Sequence, residues 1–156
     1  MKKLNRIELD VLLEKYISQK STVQKGIFLM GNPGVGKTQR LTKLSAESFL
    51  GAELGLLTKI GELKPIVAKC KANLSFSIDD LGSEGKFNYE SITQLILLRY
   101  SLWKQNKSFK FFSTTNLNPQ QMETLYPAIW EKVKEMCTVI HLDDSDLRQE
   151  ITDDIL

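Results

Sequence analysis

Along most of this chain, short apolar runs of strand length alternate with longer stretches of helical period. Residues 27–30, Ile-Phe-Leu-Met, stop at Gly31, and Leu41, Leu44, Ser48 and Phe49 then recur at three- and four-residue steps, which reads as strand, loop, helix. Residues 54–58 read as a second strand, followed by a helix over about 60–72 that Pro65 interrupts. Leu74, Phe76 and Ile78 alternate with serines ahead of Asp79 and mark a third strand. From Asn88, one side of a long helix carries Ile92, Leu95, Ile96, Arg99, Tyr100 and Trp103. Residues 109–115 suit a buried fourth strand, being rich in aromatic and β-branched side chains. Asn118 and Pro119 open a helical stretch to about Met136, with Asn as cap, Pro at the first helical position and a break at Pro127. Residues 137–142 form a fifth strand, and the polar segment 143–156 reads as a short helix. Leu9, Leu12, Leu13 and Tyr16 share one face of a separate amphipathic helix. The chain thus divides into an N-terminal extension, 1–22, and one α/β domain, 23–156, whose β-α alternation predicts a parallel sheet covered on both faces.

Composition narrows the picture. With 42% hydrophobic residues among 156, the chain suits a single core. Its 21 basic and 19 acidic residues leave a net charge of +2, so bulk charge dictates no polyanionic partner. Nucleic-acid contact would have to come from a local patch such as Lys104, Lys107 and Lys110, for which a solvated loop is the plainer reading. Cys70 and Cys137 match neither metal-ligand spacing nor a disulfide framework and read as buried thiols. His141 lies in an apolar strand, where a structural role is expected. The basic start runs into Ile7-Glu-Leu-Asp10 rather than a long apolar stretch, so neither a signal peptide nor a membrane span is read and a cytoplasmic protein is expected.

Chemistry concentrates in three stretches. "GNPGVGKT" fits G-x-x-x-x-G-K-[ST], with Gly31, Gly36, Lys37 and Thr38 at the defining positions. A loop that leaves a strand and opens a helix points several backbone N–H groups at one spot, and glycines permit the close approach. Gly31, Asn32, Pro33, Gly34, Val35, Gly36, Lys37, Thr38 and Gln39 would form the phosphate cradle, with Lys37 as mobile cation and the Thr38 hydroxyl on Mg²⁺. The alternative, a purely structural glycine-rich turn, is the weaker reading, because the motif has the apolar strand before it and the periodic helix after it that phosphate binding requires. In "SFSIDD", Asp79 leaves a strand where a metal-holding carboxylate belongs, and Asp80 would orient or deprotonate a water. A solvated turn is the bland reading of the same pair. In "FFSTTNLN", Asn116 at the tip of a buried strand would sense the terminal phosphate, or else act as an ordinary turn residue.

Other nucleotide-using classes fit less well. A nucleoside-monophosphate kinase must neutralise two polyphosphates, yet the arginines are only Arg6, Arg40, Arg99 and Arg148. A GTPase needs N-K-x-D, and Asn106-Lys-Ser-Phe109 lacks the aspartate. ATP is the better nucleotide.

"GNPGVGKT", "IDDLGSE", Arg99-Tyr100, "STTNL", "EMCTVIHL" and "SDLR" occur in the order and spacing of the DnaC-like helicase loaders and the IstB-type transposition helper ATPases, which the chain resembles over roughly residues 24–150. The resemblance implies an AAA+ P-loop core, with a five-stranded parallel sheet in 5-1-4-3-2 order and a reduced or absent lid. It implies Asp79 and Asp80 as the Walker B pair, Asn116 as sensor 1, and Arg148 as sensor 2. It also implies ATP with Mg²⁺, and assembly on a replicative ring helicase, on single-stranded DNA or with further copies of the chain. Two departures stand out. Where the family carries an arginine finger this chain offers Lys132, which cannot reproduce a guanidinium's forked contact, so weak or partner-stimulated hydrolysis is expected. Only about 22 residues precede the core, where loaders usually carry a helicase-binding domain. The Leu9/Leu12/Leu13/Tyr16 face would either dock a partner or pack on the core. Arg99 is open to three readings: nucleotide, neighbouring subunit or buried carboxylate. Beside the loader stand a nucleotide-gated adaptor that scarcely hydrolyses ATP and, more remotely, a small-molecule kinase.

Overall fold

The computed structural model describes residues 1–45, 47–85 and 89–143. Its elements are β1 (Lys2–Leu4), α1 (Arg6–Ser18), β2 (Gly26–Met30), α2 (Lys37–Leu44), β3 (Phe49–Leu50), α3 (Gly51–Lys59), α4 (Lys64–Ala72), β4 (Ser75–Leu81), α5 (Tyr89–Gln105), β5 (Lys110–Thr115), α6 (Pro119–Leu125), α7 (Trp130–Met136) and β6 (Cys137–Leu142). The strands form one six-stranded sheet in the order β1-β6-β2-β5-β4-β3, and every pairing is parallel.

Burial on both sheet faces explains the unbroken apolar strands. Phe28, Met30, Phe76, Ile78 and Phe111 point into a core shared with α3, α4, α5 and α7. Ile27, Leu29, Phe112, Ile140 and Leu142 point the other way, onto Leu9, Leu13 and Tyr16 of α1 and Leu41 and Leu44 of α2. Tyr16 meets Phe112 edge-on and donates its hydroxyl to the Lys25 carbonyl at 2.7 Å. The apolar face of α1 therefore packs on the sheet.

The sheet corrects the five-strand expectation in three places. A sixth strand, β1, runs beside β6, pairing Lys2 with Ile140 and Leu4 with Leu142. Two lysines in three residues carry no apolar alternation; an edge strand needs none, because its backbone does the pairing and charge protects its free side. Residues 54–58 are helical, within α3, and the strand beside β4 is the two-residue β3 at Phe49–Leu50, in a segment read as the end of a helix. A four-residue apolar run satisfies both periods, and here Leu54 reaches the core from a helix. Finally, β4 does not end before Asp79. It continues through both aspartates to Leu81, with a register shift against β5 between Ile78 and Leu81. Asp80, at the shift, has φ 57°, the left-handed region that non-glycine residues seldom occupy.

Arg99 meets none of its three expected partners. It is fully buried and donates to the carbonyls of Lys110 (3.1 and 2.7 Å), Cys70 (2.8 Å), Asn73 (2.7 Å) and Leu74 (2.6 Å). It thereby ties the C-terminal end of α4 to the start of β5, and burial lowers its pKa to about 10. Both thiols are buried, and burial raises Cys70 to about 11. Segment 144–156, including Arg148 and the expected terminal helix, lies outside the described residues.

Candidate nucleotide site

The C-terminal ends of β2, β4 and β5 converge on a cavity of about 410 Å³ lined by Pro33, Gly34, Gly36, Lys37, Thr38, Gln39, Leu50, Asp79, Asp80, Thr114 and Asn116. Open parallel sheets bind ligands at this end of their strands.

The loop from β2 to α2 supplies the floor. Gly36, at φ 90°, precedes α2 as its cap and has no side chain to satisfy the first-turn N–H groups, so they point at the cavity. Lys37 is largely buried, and its ammonium donates to the Gly31 and Asn32 carbonyls, each at 2.8 Å. Burial lowers its pKa, while the nearby Asp80 and Asp79 carboxylates oppose that shift. Val35 faces the core instead of the cavity.

Metal-type chemistry sits one layer away. The Thr38 hydroxyl lies 3.2 and 3.0 Å from the two Asp79 carboxylate oxygens. Thr114 also donates its hydroxyl to Asp79 Oδ1 and accepts the Asp80 N–H at 2.8 Å. One hydroxyl thus fixes the metal-type carboxylate and the backbone that turns Asp80 out of the sheet. Asn116 Nδ2 lies 3.3 Å from Asp80 Oδ1. This role of Thr114 leaves no mark in the sequence, since a strand-end threonine reads as β-propensity.

Glu84, from "IDDLGSE", is buried beneath this segment. It accepts the Gly82 N–H at 2.7 Å and the Tyr126 hydroxyl, and burial raises its pKa. Gly51 and Gly55 let α3 approach it: a Cβ at Gly51 would lie 2.5 Å from the Asp80 carbonyl, and one at Gly55 2.2 Å from that of Glu84. Lys132 stands elsewhere, on α7, with Nζ 5.5 Å from the Tyr100 ring centroid.

The donors fit a magnesium nucleotide. A hydroxyl touching a carboxylate offers hard oxygens to a cation that takes few protein ligands, and an uncapped helix start with a lysine offers positive potential to phosphates. Thr38 and Asp79 would hold the metal; Lys37 and the amides of 34–38 would hold the phosphates.

Sheet, loop and paired aspartates define a P-loop α/β fold of the AAA+ type. Within that class the crystal structure of the DnaC helicase loader is similar, at 20% identity and TM-score 0.62 over 92% of this chain and 94% of that one. A putative primosome component from Streptococcus pyogenes is 20% identical with TM-score 0.64, over 88% and 79%. AMPPCP-bound DnaA from Aquifex aeolicus is 15% identical with TM-score 0.67, over 97% of this chain and 50% of that one. This chain therefore spans about half of that DnaA chain. No protein-family model and no curated protein matches the chain. Among the described residues, no helix is long and apolar enough to cross a membrane.

Proposed function

We propose that this chain is an AAA+ ATPase of the helicase-loader type, which binds ATP with Mg²⁺ and couples slow hydrolysis to assembly on a replication partner such as a ring helicase. One observation carries the reading: the Thr38 hydroxyl rests on the Asp79 carboxylate beside Lys37 and the uncapped start of α2. Similarity to the DnaC helicase loader supports the replication context. When bound, the metal would neutralise phosphate charge. Lys37 would leave its loop carbonyls for the phosphates. Asp80, turned outward at φ 57° and held by Asn116, would accept a proton from water. The N-terminal helix and the AAA+ core act as one unit in this reading, and single-stranded DNA or further copies of the chain are secondary partners.

A nucleotide-gated adaptor with little turnover is the second reading. It is favoured by the arginines, since among the described residues none lines the cavity. Turnover with and without a replicative helicase and single-stranded DNA separates the two. Stimulation supports the loader; inactivity with intact ATP binding supports the adaptor. Unchanged calorimetric ATP affinity in Lys37→Ala would overturn both.

A further inference from the structure

Asp80 opens a hydrogen-bonded turn from the left-handed region, at φ 57°. That conformation is unfavourable for a residue with a Cβ and persists where its surroundings over-determine it. The Asp80 carbonyl accepts the Ser83 N–H at 3.2 Å and the Ser83 hydroxyl at 2.6 Å. On the β5 side, Asp80 donates its N–H to Thr114, and the Leu81 carbonyl accepts the Thr115 hydroxyl at 2.7 Å. Gly82, at φ 105°, passes so close to the segment after β5 that a Cβ there would sit 2.9 Å from Leu117 Cδ1.

The middle of this turn rests on Glu84. Its Oε2 accepts the Gly82 N–H at 2.7 Å, and its Oε1 accepts the hydroxyl of Tyr126, the residue that ends α6. Tyr126 is wholly buried, with its ring centroid 5.1 Å from that of Tyr89. The start of α3 closes the remaining side: a Cβ at Gly51 would lie 2.7 Å from Ser83 Oγ and 3.0 Å from Glu84 Oε2. Burying a carboxyl group is unfavourable, and burial raises the pKa of this one, so packing gives no reason for an acid here. Its two oxygens do, because one side chain accepts from the turn and from α6 together.

We propose that Glu84 is a positioning residue for Asp80: tied to the Tyr126 hydroxyl, it fixes the Gly82 amide and thereby holds the Asp80 backbone in the left-handed region that brings its carboxylate to the nucleotide cavity. Asn116 lies between β5 and α6, so the same tie keeps Asn116 and Asp80 facing each other. The consequence for turnover rests on the reading of Asp80 as the acceptor of a proton from water; the tie itself does not.

The test compares wild type with Glu84→Met, Tyr126→Phe and Glu84→Gln, first without nucleotide. A left-handed residue brings its own HN and Hα protons close and gives a strong NOE between them. This Asp80 signal should be strong in wild type and weakened in Glu84→Met and Tyr126→Phe. Glu84→Gln should keep it, since the amide oxygen can accept from Gly82 while the amide nitrogen donates to the Tyr126 oxygen. With Mg-ATP, Glu84→Met and Tyr126→Phe should lower kcat by about tenfold to a hundredfold at unchanged KM, and Glu84→Gln should turn over as wild type. A general loss of folded protein would not spare the NOE and kcat of one variant in this way. Wild type that hydrolyses no ATP, with the NOE responding as stated, counts against hydrolysis by this chain and supports the positioning role. An Asp80 NOE as strong in Tyr126→Phe and folded Glu84→Met as in wild type overturns the proposal, as does a Glu84→Gln variant no better than Glu84→Met. If Glu84→Met does not fold, Tyr126→Phe decides alone.

Discussion

Arg40 grips Asp10 with two nitrogens, Nε at 2.9 Å from Oδ1 and Nη2 at 3.0 Å from Oδ2, while its Nη1 donates to the Gly36 carbonyl at 3.0 Å. One guanidinium thus joins α1 to the residue that caps α2. Arg6, at the start of α1, reaches the Gly34 carbonyl at 3.4 Å. The N-terminal helix therefore braces the loop between β2 and α2 as well as covering the sheet. Asp10→Ala should weaken ATP binding about fivefold, roughly 1 kcal/mol for a forked but half-exposed pair, as measured by calorimetry. Affinity equal to wild type would mean that the brace does not reach the ligand.

Thr114→Val keeps the shape of the side chain but strands the Asp80 N–H and leaves Asp79 Oδ1 with the Thr38 hydroxyl at 3.2 Å as its remaining partner. Stability should fall by about 1–3 kcal/mol in denaturant unfolding, and any ATP turnover should fall more than ATP affinity. Thr114→Ser, which retains the hydroxyl, should restore both; failure of that rescue would assign the effect to packing.

Arg99→Met should destabilise the fold by about 3–5 kcal/mol, because it removes the donor from four inward carbonyls at once. Since the clamp lies at the far end of the sheet, ATP affinity of the folded variant should match wild type. A loss of nucleotide binding without a loss of stability would refute the structural assignment.

Glu84 makes stability depend on pH. Burial raises its folded pKa above the unfolded value, so the folded state holds the extra proton between the two. The unfolded state binds fewer protons there, and unfolding free energy must fall as pH rises from the ordinary glutamate range to the folded pKa. Glu84→Gln should flatten that part of the profile and leave the acid limit unchanged, as read by denaturant unfolding across a pH series. A slope identical to wild type would rule Glu84 out as its source.

How far the sequence was legible depends on where each signal resides. Strands β2, β5 and β6 and the long helix α5 were visible because their burial comes from periodic apolar side chains such as Ile92, Leu95, Ile96 and Trp103. Asn118 was visible as a cap because an asparagine followed by a proline suits a helix start, and in the structure its side chain and Gln121 bond each other's backbones. Two strands were not. β1 is three residues long with only Leu4 reaching the core, and β3 is two residues long, so neither writes a pattern into side chains. The loop and both aspartates were legible as chemistry. The bulge that aims Asp80 was not, since no glycine announces its positive φ. Arg99 was the hardest case: its ligands are carbonyls, which every residue possesses, so no partner residue type marks them in the sequence.

The short pairing of Lys2, Lys3 and Leu4 with β6 bears on solubility. Without those three residues, the border of the sheet would be Cys137–Leu142, a stretch with no acidic, lysine or arginine side chain and with open amides and carbonyls along one side. Such a border invites pairing with another molecule. The two lysines at the front of the chain shield it, so trimming this segment would expose the molecule to sheet-to-sheet association before it disturbed the fold.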